Sequence, residues 1–261
     1  MANNKKFESK NSFWPKPFLG VFIIVGLIAL WILSSQLGWH DKLKFPYFLE
    51  VFNAFKELGI NLLYHTALTT SRVFGGLIIG SLGGFIVGLL MTWNKYIDAA
   101  LDLLIEVLRP IPPIALIPFF ILWFGISQMG KFLLISWGVF MIIVVNTIEA
   151  VKNVSPIYRR AASSLGASKF AIYRTVVIPA IIPSLIGTVR VATAFAFGVT
   201  VAAEFMGASW GLGYMIITAR RTLNTETVLL GVLMIGFISW AIDCVIRSIS
   251  NYLTRWSESR G

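Results

Sequence analysis

Several apolar runs, each long enough to cross a lipid bilayer, constrain this chain more than any other feature. A hydrocarbon core about 30 Å thick needs about 20 consecutive apolar residues in a helix. The sequence predicts six such spans, at about residues 18–37, 73–93, 104–124, 132–150, 181–204 and 228–248. Each must be helical, because hydrocarbon offers no hydrogen-bond partner to an unpaired backbone. We therefore predict an all-α integral membrane fold with about six transmembrane helices.

The composition excludes an ordinary water-soluble enzyme. Hydrophobic residues make up 57% of the chain and charged residues 13%, whereas about a quarter of a soluble domain is charged. The net charge of +10 is interpreted as positive charge gathered at one membrane face, so no nucleic-acid partner is expected. His40 and His65 are interpreted as outer-surface residues, and with Cys244 as the one cysteine we expect neither a metal site nor catalytic residues.

The distribution of Lys and Arg predicts the orientation. If both termini are cytoplasmic, the inner segments hold thirteen of these residues and the outer segments seven, which follows the positive-inside rule. The first apolar run is too long for a signal peptide and is interpreted as an uncleaved helix. The expected organisation is a cytoplasmic tail at 1–17, a membrane domain at 18–250 and a second cytoplasmic tail at 251–261.

An outer segment is predicted at 38–72, between the first two spans. Within it, apolar residues recur near helical spacing from Tyr47 to Leu58, after Pro46. Two interpretations are open: a helix lying in the outer membrane interface, or a cover packed on the outer ends of the spans.

Four glycines recur at every fourth position of the second span: Gly76, Gly80, Gly84 and Gly88. A step of four nearly completes a helical turn, so these residues form a bare stripe on which another helix can pack closely. The stripe predicts a helix-packing face. The alternative is a face that slides during a transport cycle.

Prolines interrupt the start of the third span, where the sequence reads Arg109-Pro110-Ile111-Pro112-Pro113. Proline removes backbone donors and disfavours helix in the preceding residue, so a broken helix is predicted. Broken helices are tolerated at depth where protein or a water-filled cavity satisfies the freed groups. The break is either a kink that lines a substrate path or a proline-rich start at the cytoplasmic face.

Three charged residues in or beside the spans are candidates for the substrate pathway: Arg109, Arg190 and Glu204. A buried arginine must face protein or water, so Arg190 either serves substrate passage or gating, or pairs structurally with an unidentified carboxylate. It lies too far along the helix from Glu204 for direct pairing. Glu204, near the outer end, is interpreted as an interface residue.

The polar stretch 151–180 predicts a cytoplasmic helix-turn-helix. Ser155 and Pro156 are typical of a helix start, and Gly166 is typical of a helix end. Ser168 is the expected cap of a second helix, and Pro179 and Pro183 mark the return to the membrane. Loops this organised commonly carry function, so we expect a soluble partner to dock here.

Residues 160–179, RAASSLGASKFAIYRTVVIP, resemble the Glu-Ala-Ala-x-x-x-Gly-x(9)-Ile-x-Leu-Pro signature of membrane subunits of binding-protein-dependent ABC importers. The departure is Arg160, which stands where the family pattern has glutamate. The stretches 66–76, 108–127 and 203–216 are similar to the taurine, sulfonate, nitrate and bicarbonate branch of that family.

The resemblance implies a type I ABC importer permease in the bacterial cytoplasmic (inner) membrane. Two copies, expected as a homodimer, or two related chains would form the pore for a small anion that an external solute-binding protein delivers. Two ATPase subunits would each bind the cytoplasmic segment 151–180 of one copy, which is called the coupling loop. ATP and magnesium would be bound by the ATPases and not by this chain. The residues implied in docking are Arg160, Ala161, Ala162, Leu165, Gly166 and Pro179.

Other functions are less well supported by the residues. Gly125 to Lys131 imitates a phosphate-binding loop, but Phe132 stands where Ser or Thr must bind magnesium, so no ATPase site is expected. An ion-coupled secondary transporter would need internal carboxylates or two related halves. A membrane-embedded enzyme would need a catalytic cluster. A further alternative is an importer of the same family for a different small organic solute.

Overall fold

The computed structural model describes residues 16–253 except 40 and 42–43. In that part the chain forms ten α-helices and no strand. The predicted tails therefore lie largely outside the described residues, as do Lys42 and His40. The helices are α1 (Lys16–Gln36), α2 (Phe48–Trp93), α3 (Lys95–Leu108), α4 (Pro113–Phe124), α5 (Gln128–Lys152), α6 (Pro156–Ser164), α7 (Lys169–Ile172), α8 (Ile178–Gly207), α9 (Leu212–Arg221) and α10 (Thr225–Leu253).

The apolar helices agree with an integral membrane fold. Four helical stretches are individually long and apolar enough to cross a bilayer: α2, α5, the run 169–207 that contains α8, and α10. A fifth span results if the bent pair α3 and α4 is counted as one. The first predicted span falls on α1, whose apolar part Gly20–Gln36 is shorter than the candidate spans. Its Trp31 Nε1 donates to the carbonyl of Pro46 at 3.1 Å.

The second half of the predicted outer segment 38–72 is helical and continuous with the second predicted span. α2 bends at Gly59, which has φ +45°, but residues 60–72 continue the same helix into the span. From Ile60 to Trp93 this helix is about 50 Å long, so it exceeds the hydrocarbon thickness. Polar residues such as Arg72 suggested a loop, yet Arg72 is 1% exposed because other helices supply its partners.

The first part of α2 covers the end of the bundle at which α9 and the start of α10 lie. Val51 and Ala54 are buried in a cluster with Leu212 of α9 and Leu230 of α10. Phe52 lies on the exposed face of the same helix. The covering role expected for residues 47–58 is therefore present, and an apolar face remains exposed as in an interfacial helix.

The glycine stripe on α2 lies directly against α5. All four glycines are buried, and a Cβ built on Gly80 would lie 2.5 Å from the carbonyl oxygen of Ser136. The same test places a Cβ on Gly84 at 2.8 Å from the carbonyl oxygen of Phe140. Side chains at these positions would collide with backbone, so the stripe permits the close approach of the two helices.

The break at Arg109–Pro112 separates α3 from α4, whose axes differ by 100°. A Cβ built on Gly138 would lie 3.0 Å from Pro113 Cγ and 2.8 Å from Phe195 Cε1. Gly138 and Phe195 lie near the middle of α5 and α8. The break is therefore halfway along the spanning helices, and the alternative of a proline-rich start at the membrane face is wrong.

α8 is reached without a helix end at Pro179 or Pro183. Residues Tyr173–Val177 form a π-helical segment, in which the N–H of Ile178 donates to the carbonyl of Tyr173. Widening the turn in this way accommodates a proline inside a continuous helix. The polar hairpin at 155–172 is consequently joined rigidly to the long span that follows it.

Candidate functional site

The hairpin between α5 and α8 is built from local signals in its own sequence. Pro156 occupies the first position of α6, although the Ser155 side chain makes no capping bond. At the other end, Gly166 has φ +79°, the N–H of Gly166 donates to Ser163 O, and that of Ala167 donates to Ala162 O. This is the Schellman helix end. Ser168 then caps α7 by accepting from the N–H of Ala171.

Side-chain contacts fasten the hairpin to the ends of the spanning helices. Tyr173 Oη donates to the carbonyl of Thr92 at 2.6 Å, and its ring lies edge-on to Trp93 with centroids 4.7 Å apart. Lys169 Nζ donates to Trp93 O and also lies over the indole ring. Arg159 donates to Val151 O at the end of α5. The hairpin is thus bonded to the ends of α2 and α5 and is continuous with α8.

The predicted docking residues have different exposures. Arg160, Ala161, Leu165 and Gly166 are exposed on α6 and its end, and Ala162 is half-buried. Pro179 is half-buried in the first turn of α8, away from the hairpin tip. Besides Leu165, the hairpin exposes three apolar side chains that were not among the predicted docking residues: Ile157, Tyr158 and Phe170.

A cavity of about 350 Å³ adjoins the break between α3 and α4. Its walls come from residues 109–114, from one face of α5 between Trp137 and Asn146, and from Phe195 of α8. Arg109 is therefore placed at a cavity halfway along the spanning helices. Arg190 and Glu204 do not line it.

Arg190 pairs with a carboxylate across two helices. Its Nε and Nη2 donate to Oδ1 and Oδ2 of Asp243 on α10 at 2.6 and 3.0 Å. Arg247 adds a contact to the same Asp243 at 3.3 Å. Asp243 is therefore the carboxylate that the structural interpretation of Arg190 required. The forked pair links α8 to α10.

Glu204 belongs to a buried polar network that we call the outer knot: Thr69, Arg72, Gln128, Glu204 and Gly213. Its carboxylate receives Arg72 Nη1, Thr69 Oγ1 at 2.9 Å and the N–H of Gly213 at 2.8 Å. Arg72 Nε also donates to Gln128 Oε1 at 2.7 Å. Glu204 is 1% exposed, so its interpretation as an interface residue at the outer surface is wrong for this chain.

His65 is likewise buried, not an outer-surface residue. It is 7% exposed, and its Nδ1 accepts the N–H of Gly211 at 3.0 Å. Sequence reasoning missed Arg72 and His65 as interior residues. The available signal was the similarity of segments 66–76 and 203–216 to one branch of a family, since the outer knot joins these two segments.

The comparison with protein families identifies one match. The pattern of the family described as "Binding-protein-dependent transport system inner membrane component" matches residues 80–258. These residues include α5, the hairpin, α8 and α10. The match therefore covers both the hairpin and most of the spanning helices.

Relatives extend the similarity over nearly the whole chain. The taurine transport system permease protein TauC of Escherichia coli (strain K12) is 29% identical, over 97% of this chain and 96% of its own. SsuC of Bacillus subtilis (strain 168), assigned as an aliphatic sulfonates transport permease, is 30% identical, over 99% and 93%. A structure of the MetNI methionine ABC transporter aligns with a TM-score of 0.58 at 20% identity, covering 73% of this chain and 98% of that one.

Proposed function

The chain belongs to the family of inner membrane components of binding-protein-dependent transport systems, and we propose that it is the permease subunit of an ABC importer for a small anion. It is a multi-pass membrane transport component with the type I importer permease fold. The observation that carries the proposal is the hairpin at 155–179, which combines the family's signature with an exposed apolar patch and a rigid attachment to three spanning helices.

In this proposal the hairpin is the docking element for a separate ATPase subunit. Ile157, Tyr158, Leu165 and Phe170 are exposed beside Arg160, and an apolar centre with a charged rim is typical of protein interfaces. Two ATPases would bind ATP and magnesium, one on each of two permease copies, in a homodimer. The hairpin would lie on the cytoplasmic side, with both termini, as the positive charges favour.

The attachment of the hairpin supports a mechanism of coupling. Closure of the ATPase dimer on ATP would move the two hairpins as rigid bodies. Because the hairpin is bonded to Thr92, Trp93 and Val151, its movement would tilt α2, α5 and α8 together and switch the pore between inward- and outward-facing states. A solute-binding protein would deliver the substrate at the opposite end.

A small anion of the sulfonate type is the substrate class with most support. Two relatives are named for taurine and aliphatic sulfonates, and Arg109 at the mid-helix cavity supplies positive charge. The alternatives are a different small organic solute carried by the same kind of importer, and an ion-coupled secondary transporter.

The test is a pair of matched substitutions at exposed leucines. Leu165→Asp places a charge on the hairpin patch, where the leucine is 88% exposed. Leu223→Asp does the same in the turn between α9 and α10, where the leucine is 73% exposed. The tagged chain is purified in mild detergent from its native membrane, and the associated proteins are identified by mass spectrometry.

We expect wild type and Leu223→Asp to retain an ATPase, and Leu165→Asp to lose most of it at unchanged membrane abundance. Deletion of 156–166 should abolish transport and ATPase coupling while leaving the membrane fold. An ATPase retained equally by both leucine variants would contradict the docking role. Uptake that is driven by a proton gradient without any ATPase would replace the importer with a secondary transporter.

A further inference from the structure

Three arginines of the spanning region differ in burial and in whether a carboxylate neutralises them: Arg72 is buried, Arg190 is half-buried and Arg109 is exposed at the break. Arg72 is paired with Glu204, and Arg190 is paired with Asp243. Arg109 forms no ion pair or hydrogen bond through its side chain within the described part of the chain. A guanidinium is always charged, so Arg109 is the one of the three that has to find its counter-charge elsewhere.

Arg109 also lies at a depth along the spanning helices where a counter-charge would stabilise it most. The break that contains it lies beside Gly138 and Phe195, halfway along α5 and α8. A charge at this depth of a bilayer is unfavourable unless it faces a partner or a water-filled cavity. The cavity of about 350 Å³ at the break supplies such a space.

The lining of the cavity is amphipathic in a way that fits a small organic anion. Arg109 contributes the charge, and Asn146 contributes an amide whose Nδ2 already donates one hydrogen to the carbonyl of Ile142 at 2.8 Å. The ring of Trp137 also lines the cavity. The remaining wall is apolar, with Ile142 and Phe195 among its residues.

The backbone of the break adds few donors, since two of its four residues and the first residue of α4 are prolines, which carry no N–H. Recognition of an anion in this cavity therefore depends on side chains. Glu106 lies one turn earlier on α3 but is exposed and forms no ion pair with Arg109 in the described structure.

We propose that this cavity is a mid-membrane binding site for a small organic oxyanion, held at its charged head by Arg109 and by the second amide hydrogen of Asn146, and at its carbon body by Ile142 and Phe195. The site is a stepping point within the pathway and rests on the proposed function. A forked guanidinium matches the oxygens of a sulfonate or carboxylate head. The anion neutralises Arg109 during passage and releases it afterwards.

The experiment measures binding of one defined probe, trifluoromethanesulfonate, to the purified permease–ATPase complex by fluorine NMR line broadening. The variants are Arg109→Gln, which removes the charge, and Arg109→Lys, which keeps the charge without the fork. The matched control is Arg221→Gln, which removes an exposed arginine at the end of α9. Trifluoroethanol serves as an uncharged probe of similar size.

The expected result is broadening of the sulfonate signal by wild type and by Arg221→Gln. Arg109→Gln should weaken binding about 10- to 100-fold, as expected for the loss of charge-assisted hydrogen bonds, and Arg109→Lys should lie in between. Trifluoroethanol should bind equally to all four proteins. The amount of ATPase recovered with each variant is measured in the same samples.

Absence of binding to wild type, or equal binding by wild type and Arg109→Gln, would overturn the site. Either result with an ATPase still present in the complex would leave the importer function standing. If no ATPase is recovered with the wild-type chain, the proposed function is contradicted, whether or not trifluoromethanesulfonate binds.

Discussion

Replacing Glu204 with glutamine is expected to destabilise the fold strongly, because the change leaves buried positive charge without a counter-ion. Glu204 and Arg72 are each 1% exposed. Removing one partner of a buried pair costs about 3–5 kcal/mol. Lys131, 7% exposed, interacts electrostatically with both of them, so Glu204→Gln leaves two buried cations.

The opposite substitution, Arg72→Met, should cost less. After it, the Glu204 carboxylate still accepts from Thr69 Oγ1 and the N–H of Gly213 and still has Lys131 as a nearby cation. The double variant Arg72→Met with Glu204→Leu removes both charges. It should be more stable than Glu204→Gln, because an apolar pair of similar volume is often no worse than a buried ion pair.

The measurement is the thermal midpoint of the fluorescently tagged chain in detergent, followed by size-exclusion chromatography. At roughly 2–4 °C per kcal/mol for a chain of this size, Glu204→Gln should lower the midpoint by about 6–20 °C. Glu57→Gln is the control, since Glu57 is exposed on the first part of α2 and a surface substitution of this kind usually changes stability by about 0.5 kcal/mol or less. A midpoint of Glu204→Gln equal to that of Glu57→Gln would refute the reasoning.

Two further predictions concern backbone positions. Gly80→Ala should cost about 1–3 kcal/mol through overpacking, because its Cβ would meet the carbonyl oxygen of Ser136. Gly187→Ala, which has no neighbour within 4 Å, should leave the thermal midpoint unchanged, and equal midpoints for the two would contradict the packing role of the stripe. Gly166→Ala should destabilise the end of α6 by about 1–2 kcal/mol, since its φ is +79°. A protease should cut the hairpin faster in Gly166→Ala than in Gly166→Asn. Equal rates of cleavage in the two variants would contradict this prediction.

The parts of the fold that were predicted well are those governed by local chemistry. The hairpin could be placed almost residue by residue because proline at a helix start, serine at a cap and glycine at a helix end each act on their immediate neighbours. The break at Arg109–Pro113 was predicted for the same reason. Its depth could not be predicted, because depth depends on how α4 packs against α5.

The outer knot was missed because its partners are distant in sequence. Arg72 and Glu204 are separated by 132 positions, and each looks like a surface residue when its own segment is considered alone. The polar residues around Arg72 suggested that the span begins at residue 73. In the structure the helix includes them, since the carboxylate of Glu204, the amide oxygen of Gln128 and the carbonyl of Trp210 accept hydrogen bonds from the guanidinium.

The sequence by itself determined that the chain is a helical membrane protein with a polar helix-turn-helix hairpin between two spans, since apolar length, proline, glycine and capping residues act over one or two helical turns. Only the tertiary structure decided which arginine remains without a carboxylate. Arg72, Arg109 and Arg190 are equally charged in the sequence. Their difference arises when packing brings Glu204 and Asp243 to two of them and leaves Arg109 at a cavity, and the energy of a charge inside a bundle depends on what lies within a few ångströms of it.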